Sequence, residues 1–131
     1  MLANGPKIIL VVDDDPFIRT LLAVWLQEAG YKVITAEDGQ QALEQVRRER
    51  PDVLLLDLMM PKIDGYTVAR WLRRHEETYN LPIIVLSADA RAPQKLLGLK
   101  VDGYLSKPFD LDEVLARVME YAPLEVLGQT I

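Results

Sequence analysis

Three aspartates, a serine and a lysine are the residues of this chain best placed to do chemistry, because each stands where an apolar run ends. Val53-Leu54-Leu55-Leu56 closes on Asp57, and Ile8–Val12 closes on Asp13-Asp14-Asp15. Leu81–Leu86 closes on Ser87, and Gly103–Ser106 leads into Lys107. If the first and third runs are neighbouring strands, Asp13, Asp14 and Asp57 meet in one crevice. Two such charges at ~4 Å repel by roughly 4 kcal/mol at an effective dielectric of about 20, so the cluster either holds protons or recruits a cation. Oxygen ligands with no His or Cys among them favour a hard ion, and Mg²⁺ binds through one or two carboxylates, waters and substrate phosphate. A carboxylate beside Mg²⁺, a hydroxyl and an ammonium group suits phosphoryl transfer. Asp57 would be the nucleophile that forms an acyl phosphate. Mg²⁺ would neutralise the phosphoryl oxygens on one side, Lys107 and Ser87 on the other.

The elements that must carry these groups follow from the same pattern. Val53–Leu56 is apolar at every position, as a strand buried on both faces of a parallel sheet must be. Pro61 and Gly65 then interrupt the chain, with Gly65 expected as a flexible start to the next helix. Ile8–Val12 is a second buried strand, followed by a helix capped by Asp15, begun by Pro16 and ended by Gly30. Lys32–Ala36 alternates and is β-branched, which places it nearer an edge. Helices are predicted over Asp38–Glu49, Tyr66–His75 and, briefly, around Pro93–Leu99. A last helix follows Asp110, with Leu111, Val114, Leu115, Val118, Met119 and Ala122 at helical spacing. Strands alternate with helices five times, which predicts an α/β doubly wound parallel sheet with right-handed crossovers. Ligand sites in such sheets lie outside the carboxyl ends of the strands.

Composition narrows the function. The 131 residues suffice for one domain with a full core. A net charge of −5 argues against a nucleic-acid surface on this domain. The absence of cysteine excludes disulfides, thiolate catalysis and zinc–thiolate sites. No apolar run approaches the ~18–20 residues of a membrane span, Met1–Lys7 is no signal peptide, and the expected location is the cytoplasm. The expected division is a disordered lead-in over 1–6, one domain over 7–122, and a tail or the start of a linker over 123–131. Leu124, Val126, Leu127 and Ile131 make that tail more apolar than an ordinary linker.

Four stretches resemble one family when taken together: Ile-Leu-Val-Val-Asp-Asp-Asp-Pro, Leu-Leu-Leu-Asp-Leu-Met-Met-Pro-Lys-Ile-Asp-Gly, Leu-Ser-Ala and Tyr-Leu-Ser-Lys-Pro-Phe. In order and rough spacing they are similar to the receiver domains of two-component response regulators, the chemotaxis regulator among them, over about Lys7 to Ala122. The resemblance implies a flavodoxin-like sheet of order 2-1-3-4-5 with five helices. It implies that Asp57 accepts a phosphoryl group from the phosphohistidine of a sensor histidine kinase or phosphotransfer protein, a regulatory phosphoacceptor rather than a turnover enzyme. Mg²⁺ would be held by Asp14 and Asp57, by the backbone carbonyl of Met59, and by Asp13 mainly through water. Lys107 would contact the phosphoryl group, Ser87 and Tyr104 would form the switch pair, and the Lys107–Pro108 bond would be cis. Phosphorylation would alter the surface of the fourth helix, fifth strand and fifth helix, toward an effector or a homodimer. The sequence departs from the family at Gly98-Leu99-Lys100-Val101-Asp102-Gly103, about two residues short, so the fourth helix lacks its usual glycine cap and must end early or shift.

Rival readings are weaker. An aspartyl phosphatase would carry a second Asp where Met59 stands, and a flavodoxin would have a phosphate loop where Asp13–Asp15 stand. A phosphorylation-independent, receiver-like interaction module is the live alternative; such modules typically lose an acid or the lysine, and this chain keeps both. Taken singly, Asp13–Asp15 could be a helix cap, Ser87 a turn residue, Lys107 a solvated charge and Tyr104 an ordinary strand aromatic. Trp25 and Trp71 read as helix residues, and His75 as an exposed helix end without a role. Arg47, Arg48 and Arg50, like Arg70, Arg73 and Arg74, read as solvated faces.

Overall fold

The computed structural model describes residues 5–124. Five parallel strands, β1 (Ile8–Val12), β2 (Lys32–Ala36), β3 (Val53–Asp57), β4 (Ile83–Ser87) and β5 (Gly103–Ser106), lie in the order β2-β1-β3-β4-β5. Between and after them run α1 (Pro16–Ala29), α2 (Gly39–Glu49), α3 (Gly65–Arg73), α4 (Ala92–Lys95) and α5 (Leu111–Tyr121). The expected fold class and strand order are both found. β3 and β4 are buried at every residue, whereas β2 and β5, at the two edges, are half-exposed. Period-2 side-chain geometry splits the sheet's apolar residues into two cores. Leu10, Leu54, Leu56, Ile83 and Val85 pack with the inner faces of α2 and α3. Ile9, Leu55, Ile84 and Leu86 pack with Leu22 and Leu26 of α1 and Val114 and Val118 of α5.

Four of the five helix starts are fixed by carboxylates. Asp15 accepts from Phe17 N, Asp38 from Gln41 N, Asp64 from Thr67 N and Asp110 from Asp112 N, each satisfying an amide that the helix leaves unpaired. Gly30 ends α1 at φ +118, as the sequence predicts.

Four sequence expectations need correction. The fourth strand begins at Ile83 rather than Leu81, because Pro82 has no amide to donate and the Ile83 amide is taken by the Asp102 carboxylate at 2.8 Å. The third helix stops at Arg73 rather than His75, where Thr78 Oγ1 donates to Leu72 O at 2.6 Å and turns the chain away. Arg73 itself is no solvated charge. It is 9% exposed, donates to the carbonyls of Lys100 (2.7 Å) and Tyr79 (3.0 Å), and pairs with Asp102 at 3.1 Å. That buried pair ties the end of α3 to the short connection before β5. Gly65, finally, is there for space and not for flexibility. A Cβ at this position would stand 2.3 Å from the Asp57 carbonyl oxygen and 2.7 Å from Leu58 Cα.

The shortened connection before β5 does end α4 early, after four residues. A left-handed glycine is supplied nonetheless, two residues past the cap, by Gly98 at φ +81. Of the apolar tail, Leu124 packs against the α1–α5 core; Val126, Leu127 and Ile131 lie outside the described residues.

Because backbone atoms are what the Gly65 Cβ would meet, Gly65→Ala should destabilise the domain by about 1–3 kcal/mol. It should also shift the amide resonances of Asp57 and Leu58 more than those of β5. A neutral effect in urea unfolding would show that this close approach is not enforced.

Candidate functional site

Strand register brings the acids together. Val12 pairs with Leu56 across β1 and β3, so the next residues, Asp13 and Asp57, emerge side by side at the carboxyl edge of the sheet. Asp13, Asp14 and Asp57 each offer a carboxylate oxygen within 4.8 Å of the others. Asp13 is 1% exposed and Asp57 3% exposed, while Asp14 faces solvent. The backbone of Asp13 is anchored from two sides: its amide donates to Ala36 O at 3.2 Å, and Arg19 Nη1 donates to its carbonyl at 2.7 Å. Its Oδ1 accepts from Asp15 N at 2.9 Å.

Lys107 supplies the compensating charge. On the far side of β4, Lys107 N donates to Ser87 O at 2.8 Å, which carries the side chain back over the sheet edge. Nζ lies 2.7 Å from Asp13 Oδ2 and 3.5 Å from Asp57 Oδ1. The Lys107–Pro108 peptide is cis. One ammonium among three carboxylates leaves the crevice short of positive charge. Burial, then the Asp13 charge, push the Asp57 carboxyl up to about 6, against the opposing pull of Lys107 and the Met59 amide. Burial alone would lower Lys107, but its bond to Asp13 and the charges of Asp57 and Asp13 leave it raised overall.

The remaining predicted residues fall into place less uniformly. Met59 follows β3 in the adjoining loop, an exposed residue whose amide donates to Asp57 Oδ1 at 3.3 Å. Ser87 is fully buried, and its Oγ accepts from Asp89 N at 3.0 Å. Tyr104 is half-buried, with its hydroxyl 3.4 Å from the Asp89 carbonyl oxygen. Ser87 and Tyr104 therefore converge on Asp89, a residue the sequence reading passed over. A cleft of about 630 Å³ opens beside the acids, lined by Asp14, Met59, Tyr66, Arg70 and Lys95 among others. A second cavity of about 680 Å³, between α2 and the end of α3, is walled by Leu43, Trp71 and His75 and holds none of these residues.

The donor set suits a hard divalent ion: carboxylate oxygens only, two of them buried, with more negative charge than Lys107 balances. Acids at the carboxyl ends of neighbouring strands in a doubly wound sheet, with a lysine reaching over them, define a phosphoryl-accepting regulatory domain. The chain belongs to the response regulator receiver domain family, which it matches over residues 9–119. Among curated relatives it is 45% identical to the DNA-binding dual master transcriptional regulator RpaA of Synechocystis, over 84% of this chain and 46% of that protein. It spans about half the length of the curated relatives it matches. Among solved structures it resembles the response regulator TrrA of Thermotoga maritima in complex with Mg²⁺–BeF. That pair shares 39% identity and a TM-score of 0.80, over 88% of this chain and 98% of that one. It also resembles the receiver domain of the sensor histidine kinase PA1611 of Pseudomonas aeruginosa, whose active-site cleft coordinates a magnesium ion. There the identity is 32% and the TM-score 0.81, over 90% and 98% of the two chains.

The raised Asp57 pKa has a consequence for stability. A carboxyl whose folded value lies above its ordinary 3.8 binds its proton more tightly in the native state. Its ionisation therefore weakens folding as pH rises from about 4 to about 6. Asp57→Asn removes that penalty. Without divalent ions the variant should be more stable than the parent at pH 7.5, by on the order of 1 kcal/mol after allowance for solvent screening. The gain should vanish near pH 4. Chemical denaturation across this range checks it, and an equal gain at every pH would refute the electrostatic cause.

Proposed function

We propose that Asp57 is the phosphoacceptor of this receiver domain and that phosphohistidine on a sensor kinase or phosphotransfer protein is its donor. The observation that carries the reading is the Asp57 carboxylate, buried at the end of β3 beside two further acids, with the Lys107 ammonium 3.5 Å away. An Asp57 oxygen attacks phosphorus, an O–P bond forms, and the P–N bond breaks with its electron pair leaving on the imidazole. An acid that titrates near 6 is about tenfold more ionised than protonated at pH 7 and so arrives as the nucleophile. Lys107, already held over the acids, stabilises charge on the transferred group. Asp13, Asp14, Asp57 and the Met59 carbonyl would hold Mg²⁺, which when bound supplies positive charge to the phosphoryl oxygens.

The seat for the donor is α1, which starts beside the acids. Phe17, Leu21 and Val24, at spacings of four and three, are 71%, 37% and 47% exposed and form an apolar stripe fit for a helix of the donor. Ser87 and Tyr104 form the switch pair: the hydroxyl moves toward the phosphoryl oxygens and the ring turns inward. This alters the face of α4, β5 and α5 toward an effector or a second copy. The receiver unit runs over 7–122 and acts in the cytoplasm. No described helix is long and apolar enough to cross a membrane. A domain of net charge −5 is assigned no nucleic-acid contact of its own.

Intact mass after incubation with acetyl phosphate and Mg²⁺ tests the reading. One added phosphoryl group is expected, absent without Mg²⁺ and absent in Asp57→Asn. No gain, under conditions that modify another receiver, would favour a phosphorylation-independent interaction module.

A further inference from the structure

The cavity of about 680 Å³ between α2 and the end of α3 takes no part in the chemistry above. Both helices run back against the strand direction, so their carboxyl-terminal ends and this cavity lie toward the sheet edge opposite the acids. Its size falls within the range of small-molecule pockets, and so does its make-up, an apolar floor with a few polar groups around it. Leu43 and Val46 of α2 form the floor and belong to the core beneath. One wall is aromatic. Trp71 is half-buried and stacks on His75, with ring centroids 3.7 Å apart and planes at 22°. His75 Nδ1 lies 2.7 Å from Trp71 O. A carbonyl only accepts, so Nδ1 carries the hydrogen, and Nε2 has no partner among the described residues.

Charge selects the ligand. Arg47 faces the aromatic wall, its guanidinium carbon 5.8 Å from the Trp71 centroid, near the outer limit of a cation–π contact. Among the described residues Arg47 makes no ion pair, whereas Arg50 pairs with Glu77 at 3.5 Å, both of them exposed. Glu76 and Glu77 at the rim offset the two arginines, so the cavity suits one negative charge at Arg47 and disfavours a polyphosphate. We propose that this cavity binds a planar aromatic monocarboxylate, its ring against the Trp71–His75 wall and its carboxylate on the Arg47 guanidinium. Such a site is independent of phosphorylation at Asp57.

Indole-3-acetate is the probe, titrated into the ¹⁵N-labelled full chain beside tryptamine, which keeps the ring and reverses the charge. Saturable shifts are expected for the Leu43, Arg47 and His75 amides and the Trp71 indole N–H. The acid should bind with a Kd of about 1 mM or tighter, and the amine about tenfold more weakly. Arg47→Met should weaken the acid by about tenfold and leave the amine unchanged. Arg48→Met removes the same charge just outside the cavity and should alter neither. Unchanged amide positions in the strands show that each variant is folded. Shifts that do not saturate or that scatter beyond the cavity would overturn the site. Equal binding of acid and amine, or equal losses in Arg47→Met and Arg48→Met, would do the same.

Discussion

Burying carboxylates without enough positive charge is the constraint around which this structure is arranged. Asp13 and Asp57 are almost wholly removed from water, Asp14 stands at their edge, and one ammonium serves all three. A solitary ion pair could settle such a site; three acids and one lysine cannot. Burial first, and the Asp13 charge after it, hold the Asp57 carboxyl up to about 6, ionised at neutral pH yet poorly solvated, which is a useful condition for a nucleophile. The same deficit of positive charge gives a divalent cation its reason to bind there.

The fold tolerates this because its other parts are ordinary. Two apolar cores flank a sheet whose central strands are buried throughout, and that burial resists the repulsion at one edge. Precision comes from contacts that leave little choice. The β1–β3 register sets Asp13 against Asp57, the Asp57 backbone lies against Gly65, and Lys107 is tied through its amide to Ser87. The Arg73–Asp102 pair braces the opposite end of the domain, where the connection into β5 is short.

Much of this is legible in the chain. Apolar runs of four and five residues ending on acids locate the strands, and Asp15 and Asp110 mark helix starts by a mechanism that needs no tertiary context. The site residues could be grouped because sheet topology puts every strand's carboxyl end on one edge. What escaped notice depends on packing at a distance. Arg73 lies four residues beyond Ala69, on the helix face that is buried, and that spacing was a signal; its partner Asp102 is 29 residues away and offered none. Gly65 looked like a hinge because a clash with the Asp57 carbonyl is visible only in three dimensions. Asp89 reads as a turn residue until Lys95, Tyr66 and Tyr104 are seen around it.

The most direct test of the charge imbalance is the titration of the Asp57 side-chain carboxyl, followed by ¹³C chemical shift with and without Mg²⁺. A midpoint near pH 6 in metal-free buffer, falling well below the ordinary carboxylate value when Mg²⁺ is added, is the predicted result. A midpoint near 4 that Mg²⁺ leaves unmoved would show that the crevice is neither short of positive charge nor a place for a cation.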